Sequence, residues 1–298
     1  MEKMFKRLTV YLSEMYPVPS RLVASFGLFA GIYATTLFVE GQTFTGVGYL
    51  EVIGVVTVFG SLLALRIADE FKDAKTDMVN FPNRPLPSGR VKRSDLLILA
   101  AIDVGVLVFA NLLFMPNPLF FIAVFIYGCL MTVWFFARKY IQPNLLLALL
   151  THNPVQLLIV YYVISIAAST YDFSPFSPQL LLVAFIFYLP ALAWELSRKI
   201  RAPKEENQYV TYSRIFGRVR AIWIVLSVFL VQLAATAVLF WQQNKGVVVA
   251  ACGIYLVYAV ASIYAMKHPT AVNYGKIARS YMYGFQTFLV AVSLVAIL

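Results

Sequence analysis

The sequence predicts an all-α protein, a polytopic membrane helix bundle with nine transmembrane helices. Of the 298 residues, 61% are hydrophobic and 13% are charged, whereas soluble domains are typically about 45–50% apolar and about 25% charged. Nine apolar stretches are long enough to cross a bilayer as helices, which takes about 20 residues each. These two observations exclude an ordinary soluble enzyme and a disordered protein.

The nine predicted spans are separated by short breaks that contain polar residues, proline or glycine. Such residues end helices, so each break marks a loop. Because the loops are short on one side and only two are long on the other, we expect a single membrane domain over 1–298. The predicted spans are 19–39, 47–68, 95–114, 118–137, 145–167, 178–197, 219–241, 246–266 and 277–297.

The basic residues give the orientation of the spans. With nine spans, 23 of the 24 Lys and Arg residues fall on one side and only Lys245 falls on the other. Basic residues accumulate in cytoplasmic loops, so we expect a cytoplasmic N-terminus and a C-terminus outside. Topology thereby explains the net charge of +10 without a nucleic-acid partner. We expect a prokaryotic inner membrane, because the first residues show no organelle-targeting segment.

Acidic residues are concentrated in the long loop after the second span. Four of the 14 acidic residues lie within nine positions, namely Asp69, Glu70, Asp73 and Asp77. The three aspartates have a spacing of i, i+4, i+8, which places them on one helix face with about 6 Å of rise between neighbours. Stacked carboxylates repel one another unless cations intervene, and Mg²⁺ is often held by one or two carboxylates plus substrate phosphates. The alternative is a solvated helix end with Lys72 and Lys75 as neighbours.

A rigid basic turn follows these carboxylates. Residues 83–90 have the sequence Asn-Arg-Pro-Leu-Pro-Ser-Gly-Arg. Two prolines and a glycine prevent a continuing helix. Arg84 and Arg90 offer planar guanidinium groups that match phosphate oxygens, while the alternative is a basic anchor loop that only sets the topology.

Together, the carboxylates and the turn resemble the first signature of the UbiA-type intramembrane prenyltransferases. That signature usually runs Asn-Asp-x-x-Asp-x-x-x-Asp; here Asp69 replaces the Asn, Glu70 replaces the first Asp, and Asp73 and Asp77 match. The turn matches letter for letter, and nine helices with a cytoplasmic N-terminus also agree. The resemblance covers nearly the whole chain and implies a Mg²⁺ site at Asp69, Asp73 and Asp77.

The second family signature, Asp-x-x-x-Asp at the end of the sixth helix, is altered here. Glu195 stands at the first Asp, and Lys199 stands at the second. The alteration leaves open whether one or two Mg²⁺ ions bind, and Glu205 or Glu206 is the alternative source of a second carboxylate. We expect the basic residues of this segment to neutralise diphosphate charge, namely Arg198, Lys199 and Arg201. After the fourth span, Arg138 and Lys139 resemble a basic family loop that holds diphosphate.

Polar residues inside the predicted spans are candidates for an acceptor pocket. Asp103 lies midway along the third span, and acidic residues within the membrane are costly and often functional. His152 and Asn153 lie in the fifth span, before Pro154, which we expect to kink that helix. For all three residues the alternative is a structural role within the helix packing.

The resemblance implies an enzyme that transfers an isoprenyl group from a prenyl diphosphate to a lipophilic, often aromatic, acceptor in the bilayer. Asp69, Asp73, Asp77 and Glu195 would be its catalytic carboxylates, and Arg84, Arg138, Lys139, Arg198 and Lys199 would bind diphosphate. The alternatives are a UbiA-type terpene cyclase, a membrane transporter that uses Asp103 and His152, and a non-catalytic relative that binds isoprenoid lipid. The sequence leaves the acceptor, the chain length and the oligomeric state open.

Overall fold

The computed structural model describes residues 2–206 and 210–298, and these residues form helices and turns but no strand. The all-α prediction is therefore confirmed. Two short 3-10 turns lie at Trp134–Phe136 and Pro203–Glu205. In chain order the α-helices are α1 (Glu2–Met15), α2 (Val18–Val39), α3 (Tyr49–Lys72), α4 (Ala74–Asn80), α5 (Arg93–Phe114), α6 (Leu119–Thr132), α7 (Arg138–Ile141), α8 (Leu145–His152), α9 (Pro154–Tyr171), α10 (Pro178–Ser197), α11 (Tyr212–Phe216), α12 (Arg218–Phe240), α13 (Lys245–Lys267) and α14 (Tyr274–Ile297).

Within the described residues, eight helical segments are long and apolar enough to cross a membrane. They are α2, α3, α5, the joined segment of α8 and α9, α10, α12, α13 and α14. Their ends agree with eight of the predicted spans to within a few residues, which confirms a polytopic membrane helix bundle. The number of nine spans and the sides of the two termini stay predictions.

The fourth predicted span, 118–137, is shorter in the structure. The helix α6 has 14 residues and therefore rises about 21 Å, less than the bilayer's hydrocarbon core of about 30 Å. The chain then turns through Trp134, Phe135 and Phe136, whose φ angles are 55°, 51° and 58°. Positive φ is unfavourable for bulky residues, so this left-handed turn, and not a polar break, ends the helix.

The contacts divide the chain into two compact units, which are described separately. Unit 1 consists of the segment up to Phe29 and of Thr45–Tyr140, and unit 2 consists of Ala30–Phe44 and Ile141–Leu298. The prediction of a single domain over 1–298 stays a prediction.

The core of unit 1 lies where α1 packs against α3 and α5. The apolar face of α1 presents Leu8, Tyr11, Leu12 and Met15, at the i, i+3, i+4, i+7 spacing of an amphipathic helix. Tyr11 is fully buried, and burial raises the pKa of its hydroxyl, which therefore stays protonated. The buried partners of this face are Tyr16, Leu63, Ile67, Val91 and Leu96. Because Ile67 lies two residues before Asp69, α1 supports the end of α3 that carries the carboxylates.

Further along, α3 and α5 pack closely through small and polar residues. The fully buried Asn111 donates a hydrogen bond of 2.8 Å to the hydroxyl of Thr57. Gly60 lies against Asp103 and Leu107, with no room for a side chain between the two helices. This close approach fixes the position of α3, whose C-terminal end carries the candidate site.

Unit 2 is organised around α10, which packs against α9, α12 and α14. A buried polar link joins three of these helices, since Tyr281 donates to Gln232 at 2.6 Å and Gln232 donates to the carbonyl of Ile186 at 3.2 Å. Phe229 stacks on Tyr281 with ring centroids 3.8 Å apart. These contacts hold the middle of α10, the helix that carries Glu195 in its last turn.

Candidate functional site

Three aspartates lie on successive turns at the end of α3 and in α4. The N–H of Asp73 donates to the carbonyl of Asp69 at 2.9 Å, and the N–H of Asp77 donates to the carbonyl of Asp73 at 2.9 Å. The helix is interrupted at Asp73, whose φ and ψ are −102° and 10°. The i, i+4 hydrogen bonds nevertheless continue through the interruption, so the three aspartates follow one another turn by turn as their spacing predicts.

Most of the carboxylates in this segment form ion pairs with basic side chains. Three ion pairs form: Asp69 Oδ1 with Lys72 Nζ at 2.8 Å, Asp77 Oδ2 with Arg84 Nη1 at 2.7 Å, and Glu70 with Arg66. The i, i+3 contact between Asp69 and Lys72 is therefore present. The Lys72 side chain is only 8% exposed, whereas the Asp69 side chain is 45% exposed.

Among the described residues, the carboxylates of unit 1 can supply oxygen ligands to a magnesium ion, but they form no ready-made metal cage. Within residues 2–206 and 210–298, no three His, Cys, Asp or Glu side chains come together as a group able to hold a metal ion. The basic partners account for this in the present segment, since they occupy carboxylates that a metal would share. Mg²⁺ is often bound by one or two carboxylates plus substrate phosphates, and Asp69, Asp73 and Asp77 supply oxygen donors of that kind.

The turn after α4 holds Arg84 next to Asp77. The N–H of Arg84 donates to the carbonyl of Phe81 at 3.1 Å, and the guanidinium of Arg84 lies 3.9 Å from the Phe81 ring centroid. The N–H of Ser88 donates back to the carbonyl of Arg84 at 3.0 Å. The turn closes at Gly89, whose φ of 76° favours glycine. These contacts fix a guanidinium group beside the last aspartate.

Arg90, the other basic residue of this turn, is bound by α1. Its guanidinium donates two hydrogen bonds to the carboxylate of Glu14, one of them at 2.9 Å, and one of 2.7 Å to the carbonyl of Asn83. The hydrogen bond from Arg90 holds the pKa of Glu14 below its usual value, so the pair persists at neutral pH and is lost only in acid. Glu14 therefore ties α1 to the turn that carries Arg84.

For the prenyl diphosphate that the family resemblance implies as substrate, we expect Glu14→Gln to raise KM by about two- to fivefold, which corresponds to the contribution of up to about 1 kcal/mol that an exposed ion pair makes. The reason is a looser turn around Arg84, so kcat should change less than KM. Steady-state kinetics on purified protein measures both. The charge exchange Glu14→Arg with Arg90→Glu should recover part of the loss, whereas an unchanged KM in Glu14→Gln would show that the pair has no influence on the turn.

Arg138 and Lys139 begin the short helix α7, directly after the left-handed turn of unit 1. Both side chains are exposed. The turn fixes where α7 starts, because the N–H of Ala137 donates to the carbonyl of Trp134 at 2.9 Å. Their predicted diphosphate-binding role stays a prediction.

In unit 2, Glu195 lies in the last turn of α10 and is surrounded by its own basic neighbours. Arg198 donates to Glu195 at 2.8 Å, and the ammonium of Lys199 lies 3.6 Å from the same oxygen. Lys199 thus takes up the i+4 position as the cationic partner of Glu195, where the family signature has a second carboxylate. This segment supplies positive charge more than metal ligands.

Glu205 and Glu206, the alternative sources of a second carboxylate, have other partners. Glu205, the last residue of the 3-10 turn, accepts the N–H of Ala202 at 3.1 Å and thereby caps the start of that turn. The carboxylate of Glu206 accepts hydrogen bonds from the hydroxyls of Thr211, at 2.8 and 2.9 Å, and of Ser213. Both glutamates therefore stabilise the loop between α10 and α11.

The three candidates for an acceptor pocket lie in different units. Asp103, on α5 of unit 1, directs its carboxyl against Gly60. In unit 2, Nδ1 of His152 lies 3.0 Å from both the carbonyl of Ala148 and the hydroxyl of Thr151. Asn153 is buried at the break between α8 and α9, where Pro154 begins α9 as the predicted kink requires. Their role in acceptor binding stays a prediction.

The sequence interpretation missed two contributors to the site of unit 1. Trp134 lies under Lys72, with 5.0 Å between the ammonium and the ring centroid, and Glu14 binds Arg90. No local pattern signals the contact of Trp134, because it depends on the left-handed turn. The amphipathic spacing of α1 does signal a packed helix and so a structural role for its last turn.

Comparisons with known proteins agree with this architecture. The family model of the UbiA prenyltransferase family matches residues 22–293. The fold is similar to that of a solved digeranylgeranylglyceryl phosphate synthase, with 13% identity, a TM-score of 0.66 and coverage of 98% of this chain and 99% of the other. It is also similar to a UbiA homolog from Aeropyrum pernix K1 in its apo form, with 13% identity, a TM-score of 0.67 and coverage of 92% and 98%.

A comparison with curated protein sequences gives no match. The two similar structures, at 13% identity, show the fold alone, whereas the family model spans most of the sequence. The chain is an integral, multi-pass membrane protein and belongs to the UbiA prenyltransferase family.

Proposed function

We propose that the protein transfers an isoprenyl group from a prenyl diphosphate to a lipophilic aromatic acceptor within the membrane. The observation that carries this proposal is the set of three aspartates on successive turns of α3 and α4, beside Lys72 and Arg84. Membership of the UbiA prenyltransferase family supports it.

The acceptor in this proposal is a lipophilic aromatic molecule dissolved in the bilayer. Mg²⁺, held by Asp69, Asp73 and Asp77, would supply positive charge that stabilises the leaving diphosphate. In unit 1, Arg84, Arg138 and Lys139 bind diphosphate oxygens and balance the charge that builds up on them. In unit 2, Arg198 and Lys199 have the same proposed role, and Glu195 orients both of them through its ion pairs.

The proposed reaction breaks the bond between C1 of the prenyl chain and the diphosphate oxygen. Both electrons leave with the diphosphate, and an allylic cation remains. A carbon of the acceptor forms the new bond to C1, and the proton that this carbon loses passes to a carboxylate or to the released diphosphate. The basic side chains stabilise the departing group most strongly when its charge is largest, which lowers the barrier to bond cleavage.

The test is a panel of prenyl diphosphates on purified protein with Mg²⁺, with and without acceptors, and with products identified by mass spectrometry. Phenolic quinone precursors and a glycerol phosphate serve as acceptors. A prenylated aromatic product supports the proposal. A hydrocarbon formed without any acceptor would identify a terpene cyclase instead, and a panel without pyrophosphate release would exclude both enzymes.

A further inference from the structure

The ammonium group of Lys72 lies between a carboxylate of the candidate site and an aromatic ring. It is 2.8 Å from Oδ1 of Asp69 and 5.0 Å from the ring centroid of Trp134. The Lys72 side chain is only 8% exposed, whereas the Asp69 side chain is 45% exposed. The ammonium is therefore enclosed, while the carboxylate that it neutralises remains open to a ligand.

The ring beneath Lys72 is held in place by an unusual backbone conformation. Trp134 is buried, and it begins the turn in which three consecutive bulky residues have positive φ. Such angles are costly and persist only where the surrounding structure enforces them. Packing contributes to this, because the ring of Phe135 meets that of Tyr127 edge to face with centroids 5.3 Å apart. The turn thus places an indole face where it stabilises a cation.

Asp69 and Lys72 together form a neutral pair at the start of the carboxylate series. A divalent cation that binds Asp69 must approach an ammonium that already occupies one of its oxygens, and like charges at this distance repel. A diphosphate changes this balance, because its oxygens offer the ammonium a new partner.

We propose that Lys72 is an internal counter-ion of Asp69. Lys72 weakens the binding of a free divalent cation at Asp69, and its ammonium group moves to the diphosphate when the substrate arrives. This inference rests on the proposed function. It makes Lys72 a substrate-binding residue and couples metal binding to diphosphate binding. Trp134 positions Lys72 for both partners.

The first experiment measures Mn²⁺ binding to the full-length protein in detergent by electron paramagnetic resonance, without diphosphate. Lys72→Gln is expected to bind Mn²⁺ about tenfold more tightly than the original protein, since the repelling charge is gone. Lys75→Gln, which removes the same charge from an exposed position of α4, is the matched control and should bind as the original protein does. In the double variant Asp69→Asn with Lys72→Gln, the gain should disappear.

The second experiment measures the binding of radiolabelled geranylgeranyl thiolodiphosphate at saturating Mg²⁺. Lys72→Gln is expected to bind this unreactive analogue about tenfold more weakly, because a charged hydrogen bond is lost. A purely structural lysine would not produce opposite changes for the metal and the diphosphate. Helical circular dichroism and size-exclusion chromatography confirm that each variant is folded.

The outcomes separate this inference from the proposed function. Equal Mn²⁺ affinities of Lys72→Gln and the original protein, or equal affinities for the analogue, would overturn the role of Lys72 while the metal site stands. If no variant binds Mn²⁺ at all, both the inference and the proposed metal site are wrong.

Discussion

Replacing Asp73 with asparagine is expected to lower the rate of prenyl transfer by at least about 100-fold, the loss typical when a group that stabilises transition-state charge is removed. Asp73 lies at the interruption between α3 and α4, in the middle of the three aspartates. Its backbone N–H and carbonyl make the hydrogen bonds that join it to Asp69 and Asp77, and asparagine keeps both. The backbone of this segment is therefore expected to survive the substitution, and size-exclusion chromatography of the variant checks its folding.

A substitution of Asp77 would combine two effects, because Asp77 is buried and paired with Arg84. Removing Asp77 would also leave a guanidinium without its partner, so the effect on structure and chemistry would be mixed. The matched control is Asp172→Asn, the same chemical change at an exposed position with φ 56°, a conformation that asparagine adopts readily. Product formation by mass spectrometry should be unaffected in this control, and full activity in Asp73→Asn would refute the metal site.

The spans were predictable from the sequence because each is a continuous apolar run, and hydropathy alone determines where such a run ends. The exception is the fourth span, where 118–137 is uniformly apolar but the helix stops at Thr132. Trp134 and its two neighbours adopt positive φ, which bulky aromatic residues disfavour. The identities of these three residues therefore predict negative φ angles. Only packing against distant residues explains the positive φ angles that are observed.

For the candidate site, local spacing predicted the stacking of three aspartates, and the i, i+4 hydrogen bonds of the backbone realise it. What spacing could not predict is the partner of each carboxylate. The contact of Lys72 with Trp134 and that of Glu14 with Arg90 join segments far apart in the chain. Such contacts depend on how α1, α3 and the turn after α6 pack, which no short motif records.

The second large effect is expected for Gly60→Ala, which should destabilise unit 1 by about 1–3 kcal/mol, as overpacking in a tight core does. A Cβ on Gly60 would lie 2.7 Å from Oδ1 of Asp103 and 2.8 Å from Cδ2 of Leu107. Both neighbours belong to α5, and Leu107 is buried. Either the side chains must leave their positions or α3 and α5 must separate. The loss is measured as a lower midpoint of thermal unfolding in detergent.

Gly105→Ala provides the matched control on α5, because nothing lies within 4 Å of the Cβ that it would add. Alanine favours a helix over glycine by about 1 kcal/mol, so this variant should be as stable as the original protein or more so.

Adding Asp103→Ala to Gly60→Ala should restore part of the stability by removing one of the two close contacts, while Leu107 keeps the recovery incomplete. Equal unfolding midpoints for Gly60→Ala and Gly105→Ala would show that the helices have room to adjust. A recovery in the double variant would assign Asp103 a packing role against Gly60, and activity retained in that variant would remove Asp103 from the acceptor pocket.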